Sequence, residues 1–295
     1  MLEIKDMKLL AALARHRHFA RAAEASGISQ PAFSARIRKI EASFGLPLVR
    51  RGNKFQGFSR EGEVLLKWCR KILADVEGMR QEMEMSKGAL GGKLVIGAVP
   101  TALPYAALLS GRLREVHPDL AIEIRSLTSS KIGLGLDDYS LDAGLTYVGA
   151  ENIGDKLLLE PIYEETYVLV ASKALAPRAA GHATWAEAAA LPLCLLTRDM
   201  RNRQLIDAAF EAVGLNPSPV METDDFTAAL AQVASGTAAM IAPRWLSENV
   251  FAGRDSIRLE LTDPVVAHSI GLVTHLQQPV LPAIAALRDA IRSLS

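Results

Sequence analysis

The stretch Ser29-Gln30-Pro31-Ala32-Phe33-Ser34-Ala35-Arg36-Ile37-Arg38-Lys39-Ile40-Glu41 decides how the first part of this chain folds. Ser29 places a hydroxyl where a helix needs a cap, and Pro31 falls in the first turn, where its missing N–H costs nothing. The helix they open runs to about Ser43, before Gly45. Phe33, Ile37 and Ile40 recur at i, i+4 and i+7, which makes one apolar stripe to be buried. Gln30, Ser34 and Arg38 then lie along a different line, flanked by Pro31, Ala35 and Lys39. These are small or hydrogen-bonding groups able to approach base edges, so the helix reads as a recognition helix.

Upstream, Leu9, Leu10, Leu13 and Ala14 are spaced for a helix, and a second short helix covers Ala20 to Ser26. Its Ala22 and Ala23 permit a close crossing, Gly27 ends it, and Ile28 is expected to turn inward. The order is helix, tight turn, helix. Downstream, Leu46-Pro47-Leu48-Val49-Arg50-Arg51-Gly52-Asn53-Lys54 sets Arg50, Arg51 and Lys54 around a Gly-Asn turn, which suits a hairpin lying along phosphates. Taken alone, a solvated basic hairpin fits those residues equally well.

The charge balance agrees. The 295 residues carry 33 basic and 33 acidic side chains, but the first 60 hold 12 basic against 4 acidic, and the first 90 hold 17 against 10. A basic N-terminal domain favours a polyanion through counterion release, whereas the acidic remainder does not belong on DNA.

These residues resemble a known family. Phe19-Ala20-Arg21-Ala22-Ala23, Ser29 to Ser34, Ile37-Arg38-Lys39-Ile40-Glu41 and Gly45-Leu46-Pro47-Leu48-Val49-Arg50-Arg51 are similar to the winged helix-turn-helix of LysR-type transcriptional regulators. Two departures are conservative. Leu48-Val49 stands where the family usually has Leu-Phe, and Phe58-Ser59 where it has Leu-Thr. The resemblance implies contact with a double-stranded dyad operator through the helix 29–43 and the wing 46–58. The DNA-binding candidates are Ser29, Gln30, Pro31, Ser34, Arg36, Arg38, Arg50, Arg51 and Lys54.

From Arg60 the residues Leu65, Cys69, Ile72, Val76, Met79 and Met83 alternate in steps of four and three. The family places its dimerising linker helix here, so residues 60–87 are read that way with Cys69 in the seam. Packing onto its own chain is the alternative. Gly88 to Gly92 forms a glycine-rich hinge.

Beyond the hinge, strands and helices alternate: Leu94 to Val99, Ala102 to Val116, Leu120 to Ser126, Ile132 to Leu136 and Ala143 to Thr146. The pattern restarts at Thr166 to Ala171 and ends in a helix from Val280 to Leu294. The expectation is α/β with a parallel sheet.

Gly92 to Gly97, Leu141 to Leu145 and Val233 to Gly236 resemble the LysR-type effector-binding domain. The expected organisation is a periplasmic-binding-protein-like α/β effector domain of two lobes, preceded by an all-α winged helix-turn-helix and a long linker helix. Its segments are 1–59 for DNA binding, 60–87 for the linker helix, 88–92 for the hinge and 93–295 for the effector domain. Lobe one is 93–164 with 268–295, and lobe two is 165–267.

In open α/β sheets ligands bind beyond the carboxyl ends of strands, near helix N-termini. The residues at such ends are Pro100, Thr101, Thr128, Ser129, Thr146, Thr197, Arg198 and Thr223, and the resemblance places an effector in the cleft they would line. An arginine such as Arg198 would suit a small carboxylate. No cofactor or metal is implied, because the six histidines have no metal-ligand spacing and no phosphate-binding or nucleophile-elbow motif occurs. Catalytic residues are therefore not assigned. An α/β enzyme, or a solute-binding protein with an N-terminal helical adaptor, is the competing reading.

The two cysteines, Cys69 and Cys194, are too far apart in sequence and context for a paired thiol sensor. The N-terminus has no signal-peptide pattern, and the longest uncharged run, Phe226 to Pro243, is broken by Gln232, Ser235, Gly236 and Thr237. A cytoplasmic protein without a membrane segment is expected. Its expected partners are the operator, further copies of itself in a homodimer or homotetramer, and RNA polymerase as a further candidate. The wing weakly resembles that of LysR-type proteins encoded beside formate dehydrogenase genes, which suggests one-carbon or formate metabolism as a target.

Overall fold

The computed structural model describes residues 2–51, 55–149, 156–175, 181–249 and 256–294. The chain divides into two compact units, one of Met1–Gly92 with Asp137–Ser140 and Leu281–Ala283, the other of the remainder from Lys93.

The first unit opens with α1 (Ile4–His16), α2 (Phe19–Ala25) and α3 (Gln30–Phe44). Ser29 caps α3 by accepting from the Ala32 N–H, and Gly45 ends it in the left-handed region at φ 67°. Phe33, Ile37 and Ile40 are buried against Leu10, Leu13, Ala22 and Ala23, as the i, i+4, i+7 spacing requires. Ile28 departs from expectation: it stays exposed, because Ser29 starts α3 immediately after it and leaves no turn to carry its side chain inward.

The hairpin β1 (Val49–Arg51) and β2 (Phe55–Phe58) follows. Glu41 on α3 holds its start, its Oε1 accepting from the N–H groups of both Leu48 and Val49 at 3.1 Å. Helix α4 (Arg60–Met85) is capped by Ser59, whose Oγ accepts from the Gly62 N–H at 3.0 Å and donates to the Pro47 carbonyl at 2.6 Å.

The first part of the expected seam on α4 turns inward, while its Met79 and Met83 stay exposed. Leu66 and Cys69 belong to the core of their own domain, because the first turns of α4 pack on α1. Cys69 is therefore not an inter-chain residue. The face left exposed carries Val64, Trp68, Met79 and Met83.

The second unit comprises β3 (Gly92–Ala98), a 3-10 turn (Pro100–Ala102), α5 (Leu103–Val116), β4 (Leu120–Ser126), α6 (Ser129–Asp137) and β5 (Ala143–Tyr147). A long strand β6 (Leu157–Ser172) leads on to β7 (His182–Thr184), α7 (Trp185–Ala189), β8 (Leu193–Leu196), α8 (Arg201–Ala212), β9 (Met221–Thr223) and α9 (Phe226–Ala234). The unit closes with β10 (Ala239–Pro243), α10 (Arg244–Asn249), β11 (Ser256–Thr262), β12 (Ala267–His275) and α11 (Pro282–Leu294).

The strand order is β4-β3-β5-β12-β6-β10-β8-β9, with β11 and β7 continuing from β6. The sheet is mixed, not parallel. β3–β5 and β8–β10 pair parallel, but β12 runs antiparallel to β5, and β6 antiparallel to β12, β10 and β11. Apolar periodicity reports that a strand is buried, not the direction in which it runs. The first half of β6 pairs with β12 and its second half with β10 and β11, so one strand carries the chain from the first lobe to the second.

In the second lobe both faces of the sheet are covered. Leu169, Leu193, Leu195 and Ile241 pack on α7 and α8 around Trp185 and Phe210, while Val168, Val170, Cys194 and Met240 pack under α9. This explains why those strands read as continuous apolar runs. Gly144 lets α6 approach β5, since a Cβ there would sit 2.4 Å from Ile132 Cγ2.

Candidate functional site

Two surfaces collect the residues singled out above. On the first unit, Gln30, Pro31, Ala35, Arg38 and Lys39 are exposed along α3 and Ser34 is half-buried. Arg50 is exposed, with its guanidinium close to Gly57 of the facing strand. Lys54 and the Arg51 side chain lie outside the described residues.

Arg36 is committed elsewhere. Its Nε bonds Asp6 Oδ1, and its Nη2 reaches Asp6 Oδ2 and Glu3 Oε2, both at 3.1 Å. Asp6 also closes the α1 capping box on Glu3. The pair therefore ties the start of α1 to α3 and engages the Arg36 guanidinium within the domain. Burial alone would raise the Asp6 pKa, but the hydrogen bonds from Arg36 and the Glu3 N–H, with the charges of Arg36 and Lys39, bring it below its ordinary 3.8.

A carboxylate whose folded pKa is depressed stabilises the fold above its unfolded pKa and loses that contribution as pH falls through the folded value. We therefore expect Asp6→Asn to melt below wild type at neutral pH, and the two curves to converge as the pH drops through the ordinary 3.8 and below. Thermal melts between pH 7 and 3 check this; a difference that persists unchanged at low pH contradicts it.

In the second unit the predicted hydroxyls fall into separate groups. Thr146 donates to Ser129 Oγ at 2.9 Å, and Thr128 contacts Ser130 at 3.2 Å and caps Lys131, all on the α6 side of β5. Thr197 and Thr223 serve their own loops: the Thr197 N–H donates to the Thr223 carbonyl, and Thr223 Oγ1 accepts from the Asp225 N–H. Arg198 is 77% exposed, 3.8 Å from Glu222. Pro100 is buried in the 3-10 turn beside Thr101.

Thr101 joins a cluster that the sequence did not single out. Tyr147, on the face of β5 opposite Thr146, donates to Glu165 Oε2 at 2.7 Å. The hydroxyls of Thr101 and Tyr147 are 3.1 Å apart, and the Asn202 Nδ2 donates to Tyr147 Oη at 3.3 Å. Because Tyr147 spends its only proton on Glu165, Thr101 is the donor in the Thr101–Tyr147 bond.

Glu165 is 1% exposed and sits on β6 where the strand leaves β12 for β10, opposite His268 in register. Burial raises its pKa to about 7, and the hydrogen bond from Tyr147 offsets only part of that cost. Glu165 Oε1, Asn202 Oδ1, Tyr163 Oη, Tyr167 Oη and Arg201 Nε are buried without a hydrogen-bond partner. Tyr105, Tyr163 and Trp245 form an aromatic wall beside them, with Tyr105–Tyr163 centroids 5.0 Å apart and Tyr105–Trp245 6.0 Å.

The signal that could have found Glu165 is the alternation Tyr163-x-Glu165-x-Tyr167, which puts a carboxylate between two phenols on one face of the strand. Among the described residues no cluster of histidine, cysteine or carboxylate side chains could hold a metal ion, and no helix is long and apolar enough to cross a membrane.

Comparison with known proteins decides the family. Residues 4–63 match the model of the bacterial regulatory helix-turn-helix protein of the lysR family, and residues 87–295 match the LysR substrate binding domain. The chain belongs to the LysR family.

Among curated LysR relatives, the hydrogen peroxide-inducible genes activator of Dickeya chrysanthemi is 30% identical over 165 residues, covering 56% of this chain and 53% of that protein. The chain thus spans about half the length of the peroxide-inducible activators it matches. The SDS degradation transcriptional activation protein of Pseudomonas sp. (strain ATCC 19151) is 28% identical over 300 residues, covering 99% of this chain and 96% of the relative.

Among solved LysR-type structures, full-length OxyR from Pseudomonas aeruginosa superposes with a TM-score of 0.79 at 22% identity, covering 99% of this chain and 95% of that one. Full-length CbnR complexed with its target DNA gives 0.70 at 20% identity, covering both chains completely. At these identities the likeness establishes the fold: a helix-turn-helix domain followed by a two-lobed α/β effector domain.

Proposed function

We propose that this LysR-family chain is a DNA-binding transcriptional regulator, not an enzyme, that reads a dyad operator and changes its hold on DNA when a small molecule occupies the effector domain. The observation that carries this reading is the exposed face of α3, where Gln30, Pro31 and Arg38 are held outward on a domain of net positive charge while Phe33, Ile37 and Ile40 lock the helix beneath them. Gln30, Ser34 and Arg38 then read bases. Ser29, Arg50, Arg51 and Lys54 hold phosphates, and Arg36 fixes α3 through Asp6. Segments 1–59, 60–87, 88–92 and 93–295 serve as DNA-binding domain, linker helix, hinge and effector domain.

A dyad operator calls for a dimer. The exposed Val64, Trp68, Met79 and Met83 on α4 support pairing through that helix, as does a groove of about 400 Å³ lined by Phe44, Leu46, Val64 and Trp68. RNA polymerase is a further candidate partner, and the cytoplasm the expected compartment.

Peroxide sensing through a disulfide does not fit the chain. Cys69 and Cys194 are its two cysteines, both are buried, and burial raises the Cys69 thiol to about 11 and that of Cys194 above its ordinary value. A carboxylate effector held by Arg198 has little support, since that side chain is solvent-exposed and faces Glu222. The formate link rests on the wing alone; formate leaving operator binding unchanged would count against it.

The test is a set of variants on an operator duplex. Gln30→Ala and Arg38→Ala should each lose about 1–3 kcal/mol of discrimination against altered half-sites. Arg50→Ala should weaken binding to every duplex alike and flatten the salt dependence by about one unit of log–log slope. Equal, sequence-independent losses in all three would overturn the assigned roles.

A further inference from the structure

We infer that Glu41 is the positioning residue of the wing: by drawing the backbone N–H groups at the wing's root onto α3, it holds Arg50 where α3 and the hairpin meet the same duplex. The inference deepens the DNA-binding reading above and rests on it.

The backbone donors single out Glu41. Between the end of α3 and β1 the chain runs Gly45-Leu46-Pro47-Leu48-Val49. Proline has no N–H, so residues 46–49 carry donors only at Leu46, Leu48 and Val49. Glu41 receives each of them. Its carbonyl accepts from the Leu46 N–H at 3.3 Å, and its Oε1 accepts from the Leu48 and Val49 N–H groups, both at 3.1 Å. Ser59 holds the carbonyls of the same segment: its N–H donates to Leu48 at 2.9 Å and its Oγ to Pro47 at 2.6 Å. The Leu48 and Val49 side chains are buried in the domain core. The root of the hairpin is thus fixed to α3 through its N–H groups, to the start of α4 through its carbonyls, and to the core beneath.

Arg50 is the residue this arrangement serves. It directly follows Val49, is exposed, and lays its guanidinium against Gly57 of β2, where a Cβ would stand 3.1 Å from Nη2. Its charge therefore goes where the hairpin goes. Phosphate contacts set the register of a protein on a duplex, and they do so only if the group that makes them is rigid relative to the helix that reads bases.

Charge excludes a direct DNA contact by Glu41 itself, since a carboxylate repels phosphates. The acidic residues among the first 60 are Glu3, Asp6, Glu24 and Glu41. Glu3 and Asp6 are bonded to Arg36, and Glu41 to the wing root. As a bare charge Glu41 opposes DNA binding; as a clamp it favours it. The two roles give opposite signs on substitution.

Fluorescence anisotropy of the full chain on a labelled random-sequence duplex of about 40 base pairs, at about 50 to 200 mM salt, reads that sign. Glu41→Gln keeps an oxygen within reach of the two N–H groups without the charge, and should bind as tightly as wild type or tighter. Glu41→Asp keeps the charge but is one methylene too short. It should weaken binding about three- to tenfold and flatten the log–log salt slope by about one unit, the loss expected of Arg50→Ala. Combining Glu41→Asp with Arg50→Ala should then weaken binding no further than Arg50→Ala alone. Glu41→Ala, which removes charge and clamp together, should also bind more weakly than wild type, and it stands in if circular dichroism melts show Glu41→Asp to be unfolded.

Tighter binding by both Glu41→Ala and Glu41→Gln, with Glu41→Asp at the wild-type value, would reduce Glu41 to a charge and overturn the inference. Losses from Glu41→Asp and Arg50→Ala that add would overturn it as well, and in either case the DNA-binding reading stands. No duplex binding by the folded wild type would overturn that reading and this inference with it.

Discussion

Trp185→Ala should cost the second lobe about 3–5 kcal/mol, among the largest single-residue losses available in this chain. The Trp185 side chain is fully buried, stacks edge-on against Phe210 at 5.0 Å, and donates its indole N–H to the Pro264 carbonyl at 2.8 Å. Truncation therefore removes a large apolar group from between α7, α8 and the sheet and also breaks the bond to the Pro264 carbonyl. Urea denaturation followed by far-UV circular dichroism is the measurement. Trp185→Phe, which keeps the ring but not the donor, should retain more than half of the lost stability. An alanine variant within 1 kcal/mol of wild type would mean that the core closes around the gap, contrary to the packing described.

Gly62→Ala should be nearly as damaging, but by overpacking. A Cβ at Gly62 would stand 2.0 Å from the Leu48 carbonyl oxygen and 3.1 Å from Phe58 Cβ. The first obstacle is backbone, which cannot rotate away, so α4 and the hairpin must separate. Overpacking of this kind costs about 1–3 kcal/mol, and here the upper end applies. The Ser59 bonds to Pro47 and to Gly62 lie in the same junction and would be strained with it. Because the hairpin is the proposed phosphate contact, Gly62→Ala should lose affinity for all duplexes together with thermal stability. A variant that melts like wild type yet binds no DNA would show that the close approach serves recognition rather than folding.

The first domain could be read from its sequence because its signals are local. A cap at Ser29, a proline in the first turn, a glycine at Gly45 and an apolar stripe at Phe33, Ile37 and Ile40 each act within a few residues. The seam on α4 misled in its first turns, where Leu65, Cys69 and Ile72 pack inward, while Met79 and Met83 of the same seam stay exposed. Leu65, Cys69 and Ile72 and the actual outer residues Val64 and Trp68 are offset by one position, and only packing on α1 decides which set faces in.

In the effector domain the strands were visible as apolar runs, but the direction of β6 and β12 depends on partners more than 100 residues away. The polar cluster stayed hidden for the same reason. Thr101, Tyr147, Glu165 and Asn202 come from the 3-10 turn and from β5, β6 and α8, and no spacing in the sequence links them. Residues after strand ends were a fair guide to Thr101, yet they gave equal weight to Thr197 and Thr223, whose side chains or backbones serve their own loops.

We propose that α3 reads DNA. Its most direct test is selection from a random duplex library at near-physiological salt, with wild type and Gln30→Ala carried in parallel. Wild type should enrich a short inverted repeat, and Gln30→Ala should enrich the same repeat with its preference relaxed at one position per half-site. Recovery of no common sequence by the folded wild-type protein would contradict it.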